Sequence, residues 1–150
     1  MTFPLPSNAS LLMLDTNIIS DLMRNPKGPS NQRLQHLMDT LPDLKVCTSL
    51  VVDCEVSFGL LRKPSKLLQQ AYADLLQAIE IMPLDLSVSS HYAHIRPHLE
   101  HLGTPIGPND TLIAAHALAL DCTLVTGNDA EFRRVPGLRV ENWLVEEKQF

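Results

Sequence analysis

Hydrophobic positions along this chain follow two rhythms, short unbroken apolar runs and longer stretches with apolar residues every three or four positions. Leu11 to Leu14 is a continuous apolar run without alternation, the pattern of a strand buried on both faces of a parallel sheet. Asp15 then stands at the carboxyl end of that strand. Thr16 or Asn17 caps a short helix reaching about Arg24, which Pro26, Gly28 and Pro29 end. A second helix is predicted from Ser30 to about Leu41, and a second strand over Val46 to Thr48. Ser49 caps the next helix, where Leu50, Val51, Cys54, Phe58 and Leu61 recur at helical spacing and Glu55 lies among them.

The same two rhythms continue to the end of the chain. Pro64 and Ser65 open a helix with Leu67, Leu68, Tyr72, Leu75, Leu76 and Ile79 along one stripe, and Glu80 to Leu84 reads as a strand. Ser87 begins a helix toward Leu102. Gly103, Pro105, Gly107 and Pro108 stiffen the loop ahead of a helix from Asn109 or Asp110 to Leu120. Thr123 to Thr126 reads as a strand, Gly127 to Glu131 as a loop, and Leu138 to Val140 as a last strand before Trp143. Alternation of strand and helix predicts an α/β fold around a mostly parallel sheet.

A chain of 150 residues with 45% hydrophobic content buries about two-thirds of its unfolded surface in one core. Residues 1–10 read as a loose amino-terminal arm and residues 11–150 as a single domain. The charged fraction of 19% is spread evenly, as in an ordered globular protein. Cys47, Cys54 and Cys122 are odd in number, far apart and without a C-x-x-C pair. Neither a disulfide framework nor a zinc ribbon is indicated, and a reducing cytoplasm is expected. No apolar run approaches membrane-spanning length. The net charge of −5 works against nucleic-acid binding, which normally calls for excess Lys and Arg. A site of several carboxylates would account for part of that charge and become a phosphate site on taking up a divalent cation.

Three acids stand out by their placement: Asp15 after the first strand, Glu55 inside the third helix, and Asp110 at the start of a late helix. Strand carboxyl ends and the amino ends of following helices share one edge of a parallel sheet, where sites form. Clustered carboxylates raise one another's pKa unless a cation holds them ionised. Oxygen donors without His or Cys favour Mg²⁺ over zinc. Each acid alone has a plainer explanation: Asp15 as a helix cap, Asp110 as a first-turn carboxylate meeting the helix dipole, Glu55 as an ordinary helix acid. Their combination is what points to chemistry.

Taken together, four blocks carry a family likeness: L-D-T-N at Leu14 to Asn17, T-S-L-V-V-D-C-E-V-S-F-G at Thr48 to Gly59, G-T-P-I-G-P-N-D-T-L-I-A-A-H-A at Gly103 to Ala117, and L-V-T-G-N-D-A-E-F at Leu124 to Phe132. The chain resembles, over nearly its whole length, the PIN-domain nucleases, specifically the VapC-type toxins of bacterial toxin and antitoxin pairs. That resemblance implies a three-layer α/β/α sandwich and an endoribonuclease using Mg²⁺ or Mn²⁺, with Asp15, Glu55 and Asp110 as catalytic and metal-holding acids supported by Thr16 and Asn17. It further implies a transfer or ribosomal RNA substrate. A cognate VapB-type antitoxin would place a basic side chain in the acidic pocket, and the toxin would form a homodimer, giving a heterotetramer or larger complex with its antitoxin. Many family members carry a fourth acid two residues after the threonine of the last block. Here that position is Asn128, so the fourth place falls either to Asn128, through its carbonyl on an ion-bound water, or to Asp129 through a shift of the loop.

Two other readings compete with this one. A haloacid dehalogenase-type phosphatase needs a second acid where Asn17 stands. A catalytically silent PIN domain would act as a nucleic-acid or protein binding module. Arg24, Lys27, Arg62, Lys63, Lys66, Arg133 and Arg134 are candidates to guide an RNA backbone, with Arg133 and Arg134 first because they follow the last block directly. His91, His94, His98 and His101 share one helical face that Pro97 interrupts, and read as a partly exposed face rather than a metal site. His116 is expected to pack in its helix rather than act as a base, and Trp143 to anchor a core or a dimer.

Overall fold

The computed structural model describes residues 11–145, so the arm expected over residues 1–10 lies outside the described residues. Twelve elements follow one another: β1 (Leu11–Leu14), α1 (Thr16–Arg24), α2 (Pro29–Thr40), β2 (Lys45–Ser49), α3 (Leu50–Arg62), α4 (Lys66–Leu75), β3 (Glu80–Met82), α5 (Ser87–His101), α6 (Pro108–Ala119), β4 (Thr123–Val125), α7 (Asp129–Phe132) and β5 (Val140–Glu141). The strands form one sheet in the order β3-β2-β1-β4-β5, and every neighbouring pair is parallel.

The strand order sets where a site can form. Connections from β1 to β2 to β3 step one way across the sheet, and those from β3 to β4 to β5 step the other way. Right-handed crossovers therefore send the two sets of helices toward opposite faces, with α3 of the first set still touching α6 of the second. The order reverses between β1 and β4, which is the crevice where ligands enter open parallel sheets. Leu14 lies level with Thr48 of β2 and Val125 of β4, so Asp15 emerges at that crevice. Leu12, Met13, Leu14, Leu124 and Val125 are fully enclosed, which fits the unbroken apolar runs. Ser49 caps α3 by accepting the Val51 N–H at 3.1 Å, and Ser65 caps α4 by accepting the Leu68 N–H at 3.2 Å.

Several expectations shift. Val51, Val52 and Val56 form the buried face of α3, whereas Phe58 and Leu61 of the expected stripe are 63% and 79% exposed. The first half of α3 packs on α1, α6, β2 and β3, and its second half projects past them. Leu67 of α4 is likewise 80% exposed. β3 stops at Met82 instead of Leu84, β5 occupies Val140–Glu141 instead of Leu138 to Val140, and the expected loop after Gly127 contains the one-turn helix α7. α5 runs unbroken through Pro97. Among the described residues, no helix is long and apolar enough to cross a membrane.

Candidate active site

Asp15 is 4% exposed and has both carboxylate oxygens occupied. Oδ1 accepts the Thr16 N–H at 2.8 Å, which makes Asp15 the cap of α1 as well. Oδ2 accepts the Thr126 hydroxyl at 2.8 Å. Burial raises the Asp15 pKa, the two hydrogen bonds oppose that rise, and the charge of Glu131 adds to it. Thr126 hangs just past β4 and is fully buried. Its hydroxyl oxygen also accepts the Asn128 N–H at 3.0 Å. Asn17 braces the same corner by accepting the Gly127 N–H at 2.8 Å, with its amide nitrogen 3.5 Å from Thr126 Oγ1.

Glu55 reaches the corner from α3. Its Oε2 accepts the Thr16 hydroxyl at 3.1 Å, while Oε1 is buried with no hydrogen-bond partner. Burial raises its pKa first, and the Asp15 charge adds to that against the Thr16 hydrogen bond. Asp110, in the first turn of α6, is pushed up to about 7 by burial and then by the charges of Asp15, Glu131 and Glu55, with a hydrogen bond to Glu131 adding further. Such a bond between two carboxyls needs a shared proton.

The three acids singled out in the sequence thus meet at one sheet edge, and Glu131 joins them. Glu131 escaped sequence reasoning because Gly127 to Glu131 read as a loop, in which side-chain direction has no period. One turn of α7 places Glu131 three residues beyond Asn128 on the same side of the helix. Spacing of three was the available signal. Asn128 stands at the amino end of α7 and makes no side-chain cap bond. Asp129 is engaged elsewhere, accepting from Asn142 at 3.0 Å and from Arg133 at 3.4 Å, with its pKa lowered by Asn142 foremost.

The donor set suits a hard divalent ion. All candidate ligands are oxygens, one of them (Glu55 Oε1) is enclosed without a partner, and the mutual repulsion that raises Asp110 is what a cation would relieve. Among the described residues no three His, Cys, Asp or Glu side chains converge tightly enough to enclose an ion as they stand. Holding one would require the carboxyls to turn inward.

The remaining candidates separate cleanly. Arg133 pairs with Asp129 one turn earlier, and Arg134 is exposed at the end of α7, so both lie beside the acidic corner. Trp143 is 1% exposed and donates to Glu141 Oε1 at 3.1 Å, a core role. Glu141 also takes Arg33 at 2.7 Å. His94, His98 and His101 face solvent and His91 is half-buried. His116 is buried against Ser49.

A reversed parallel sheet with acids gathered at its switch point defines a class of protein. The chain belongs to the PIN-domain family, whose model matches residues 12–138, and within it to the VapC type. Ribonuclease VapC2 of Rickettsia felis is 35% identical over 135 residues, covering 89% of this chain and 98% of that protein. The tRNA(fMet)-specific endonuclease VapC of Shigella flexneri is 33% identical over 134 residues, covering 87% and 96%. The crystal structure of VapBC2 from Rickettsia felis bound to a DNA fragment from their promoter matches with a TM-score of 0.80 and 32% identity, covering 89% of this chain and 98% of that one.

Proposed function

We propose that this chain is the toxin of a VapBC pair, an endoribonuclease that uses Mg²⁺ or Mn²⁺ to cleave a structured RNA and is neutralised by a VapB-type antitoxin. The observation that carries this reading is the placement of Asp15, Glu55, Asp110 and Glu131 around one corner of the sheet, where burial first and the neighbouring carboxylates next push Asp110 up to about 7. Relatives named as ribonucleases support the activity, and the one named for tRNA(fMet) favours transfer RNA over ribosomal RNA. The VapBC complex among similar structures supports the antitoxin partner. A homodimer, a heterotetramer or larger complex with antitoxin, and a cytoplasmic location belong to the same proposal.

Asp15, Glu55 and Asp110 would hold the ion, with Glu131, rather than Asn128 or Asp129, as the fourth carboxyl. When bound, the ion supplies charge against the scissile phosphate and lowers the pKa of a water for in-line attack. Thr126 and the Thr16 N–H hold the Asp15 carboxylate to one orientation and oppose the rise in its pKa that burial imposes. The Thr16 hydroxyl does the same for one oxygen of Glu55 and leaves the other free. With several carboxyls present, one of them can take the proton released when water attacks. Arg133 and Arg134 would steady the RNA backbone at the rim.

The test is cleavage of total RNA by purified protein with and without Mg²⁺, for the wild type and Asp110→Ala. The wild type should cut at few positions and arrest growth when made without antitoxin. Asp110→Ala should lose more than roughly a hundredfold in rate. Equal cleavage by both would reject the site. A wild type that binds its antitoxin and promoter DNA yet cuts nothing would favour the silent binding module.

A further inference from the structure

α6 and α3 each contribute one acid to the corner, and a second contact between α6 and the start of α3 lies beside it. His116 of α6 is 1% exposed, and its Nδ1 lies 2.8 Å from the hydroxyl oxygen of Ser49. Ser49 is fully buried and is the residue that caps α3 through the Val51 N–H. The imidazole therefore grips the first turn of the helix that carries Glu55. Glu55 lies six residues after Ser49, and Asp110 six residues before His116. Six residues of helix span about 9 Å. α3 packs directly on α6, so a slide of one helix along the other at this contact changes the spacing between the two acids they carry.

We propose that His116 is a positioning residue, whose hydrogen bond to Ser49 sets the height of Asp110 against Glu55 and so the shape of the cation site. This inference rests on the nuclease reading for its consequence and on packing alone for its geometry. Burial holds the ring neutral, with its pKa below the usual value, against the upward pull of the Pro83 carbonyl and the Asp85 carboxylate that face it. The Pro83 carbonyl also hydrogen-bonds the ring, and the bond to Ser49 is the polar tie between α6 and the start of α3. A neutral ring can donate to Ser49 Oγ or accept its proton while that oxygen keeps the Val51 N–H. A one-residue slide of α6 would move Asp110 by about 1.5 Å along the helix axis, a displacement large enough to spoil ligation.

The experiment compares the wild type with His116→Leu, which fills the space without the bond, Ser49→Ala, the double variant, and His116→Asn, whose amide occupies the place of Nδ1. Mn²⁺ affinity is read from the free-ion paramagnetic resonance signal, beside kcat and KM for RNA. His116→Leu and Ser49→Ala should each weaken Mn²⁺ binding roughly tenfold and lower kcat with little change in KM. The double should be no worse than the poorer single, and His116→Asn should return to within about twofold of wild type. Unchanged Mn²⁺ affinity in His116→Leu, whatever its melting temperature, or additive losses in the double, would overturn the proposal. If the wild type binds no Mn²⁺, the cation reading fails instead, and backbone amide shifts decide the link. Ser49→Ala must then move the amides around Asp110, and movement confined to α3 would refute it.

Discussion

Asp15 and Asp110 share one corner, yet the strand end that carries the first and the helix start that carries the second are built on opposite plans. At the end of β1 every polar group is matched: Thr16 and Thr126 fill the Asp15 oxygens, Asn128 and Asn17 meet Thr126, and Gly127 meets Asn17. At the start of α6 the cap residue is Gly107, with no side-chain cap bond, and Pro108 follows. Asp110 there is buried beside other carboxyls, and burial first, then their charges, lift its pKa to about 7. One acid is clamped by neutral donors, while the other is left to be settled by whatever charge arrives. The proposed cation site would gain from both, since the first fixes position and the second supplies response.

The largest loss of stability should come from breaking the clamp. Thr126→Val leaves a buried Asp15 oxygen and the Asn128 N–H without their partner. It should cost about 2–3 kcal/mol in chemical denaturation and roughly ten- to a hundredfold in RNA cleavage. Retained activity would mean that Asp15 is held some other way.

Next in size is the response to pH, which isolates the unclamped side. The folded Asp110 pKa of about 7 stands above the ordinary 3.8, so between those values the native state binds the extra proton and stability falls as pH rises. Compared with Asp110→Asn, wild-type protein without divalent ions should lose melting temperature from pH 4 to 7, a window fixed by those two values. Added Mg²⁺ should raise the melting temperature more above this window than below it. Parallel curves for the two proteins would contradict the assignment.

Smaller still is the same Thr-to-Val exchange at the other end of the comparison. The Thr111 hydroxyl bonds back to the Gly107 carbonyl at 2.9 Å, and that carbonyl keeps the Thr111 N–H as a partner. Thr111→Val should therefore cost less than about 1 kcal/mol, and a loss equal to that of Thr126→Val would erase the contrast. The least effect belongs to the far half of α3, where Leu61→Ser should change stability by no more than about 0.5 kcal/mol, checked by urea unfolding.

That last prediction marks where sequence and structure part. Period can be read from residues, but phase depends on what a helix meets. Leu50, Phe58 and Leu61 kept helical spacing with Val51 and Cys54, yet the buried face runs through Val51, Val52 and Val56 because only the first half of α3 lies under neighbouring elements. The unbroken run before Asp15 carried no such ambiguity, since a strand enclosed on both faces has no phase to choose. Asp15, Glu55 and Asp110 were legible because each sits in a block with its own local signature. Glu131 was not, because the single turn of α7 is too short to show a period, and its neighbour Asp129 advertised the same charge. His116 and Ser49 were legible as a packed residue and a cap, while their partnership, 67 positions apart, depends on how two helices cross.

The strand β5 has a consequence for the order in which the corner is assembled. The Glu141 carbonyl accepts the Thr126 N–H at 2.9 Å, and its carboxylate is tied to Arg33 and Trp143. Thr126, in turn, is what clamps Asp15. A chain that stops short of β5 lacks the brace behind its first acid, so Asp15 is expected to be held firmly only after β5 has joined the sheet.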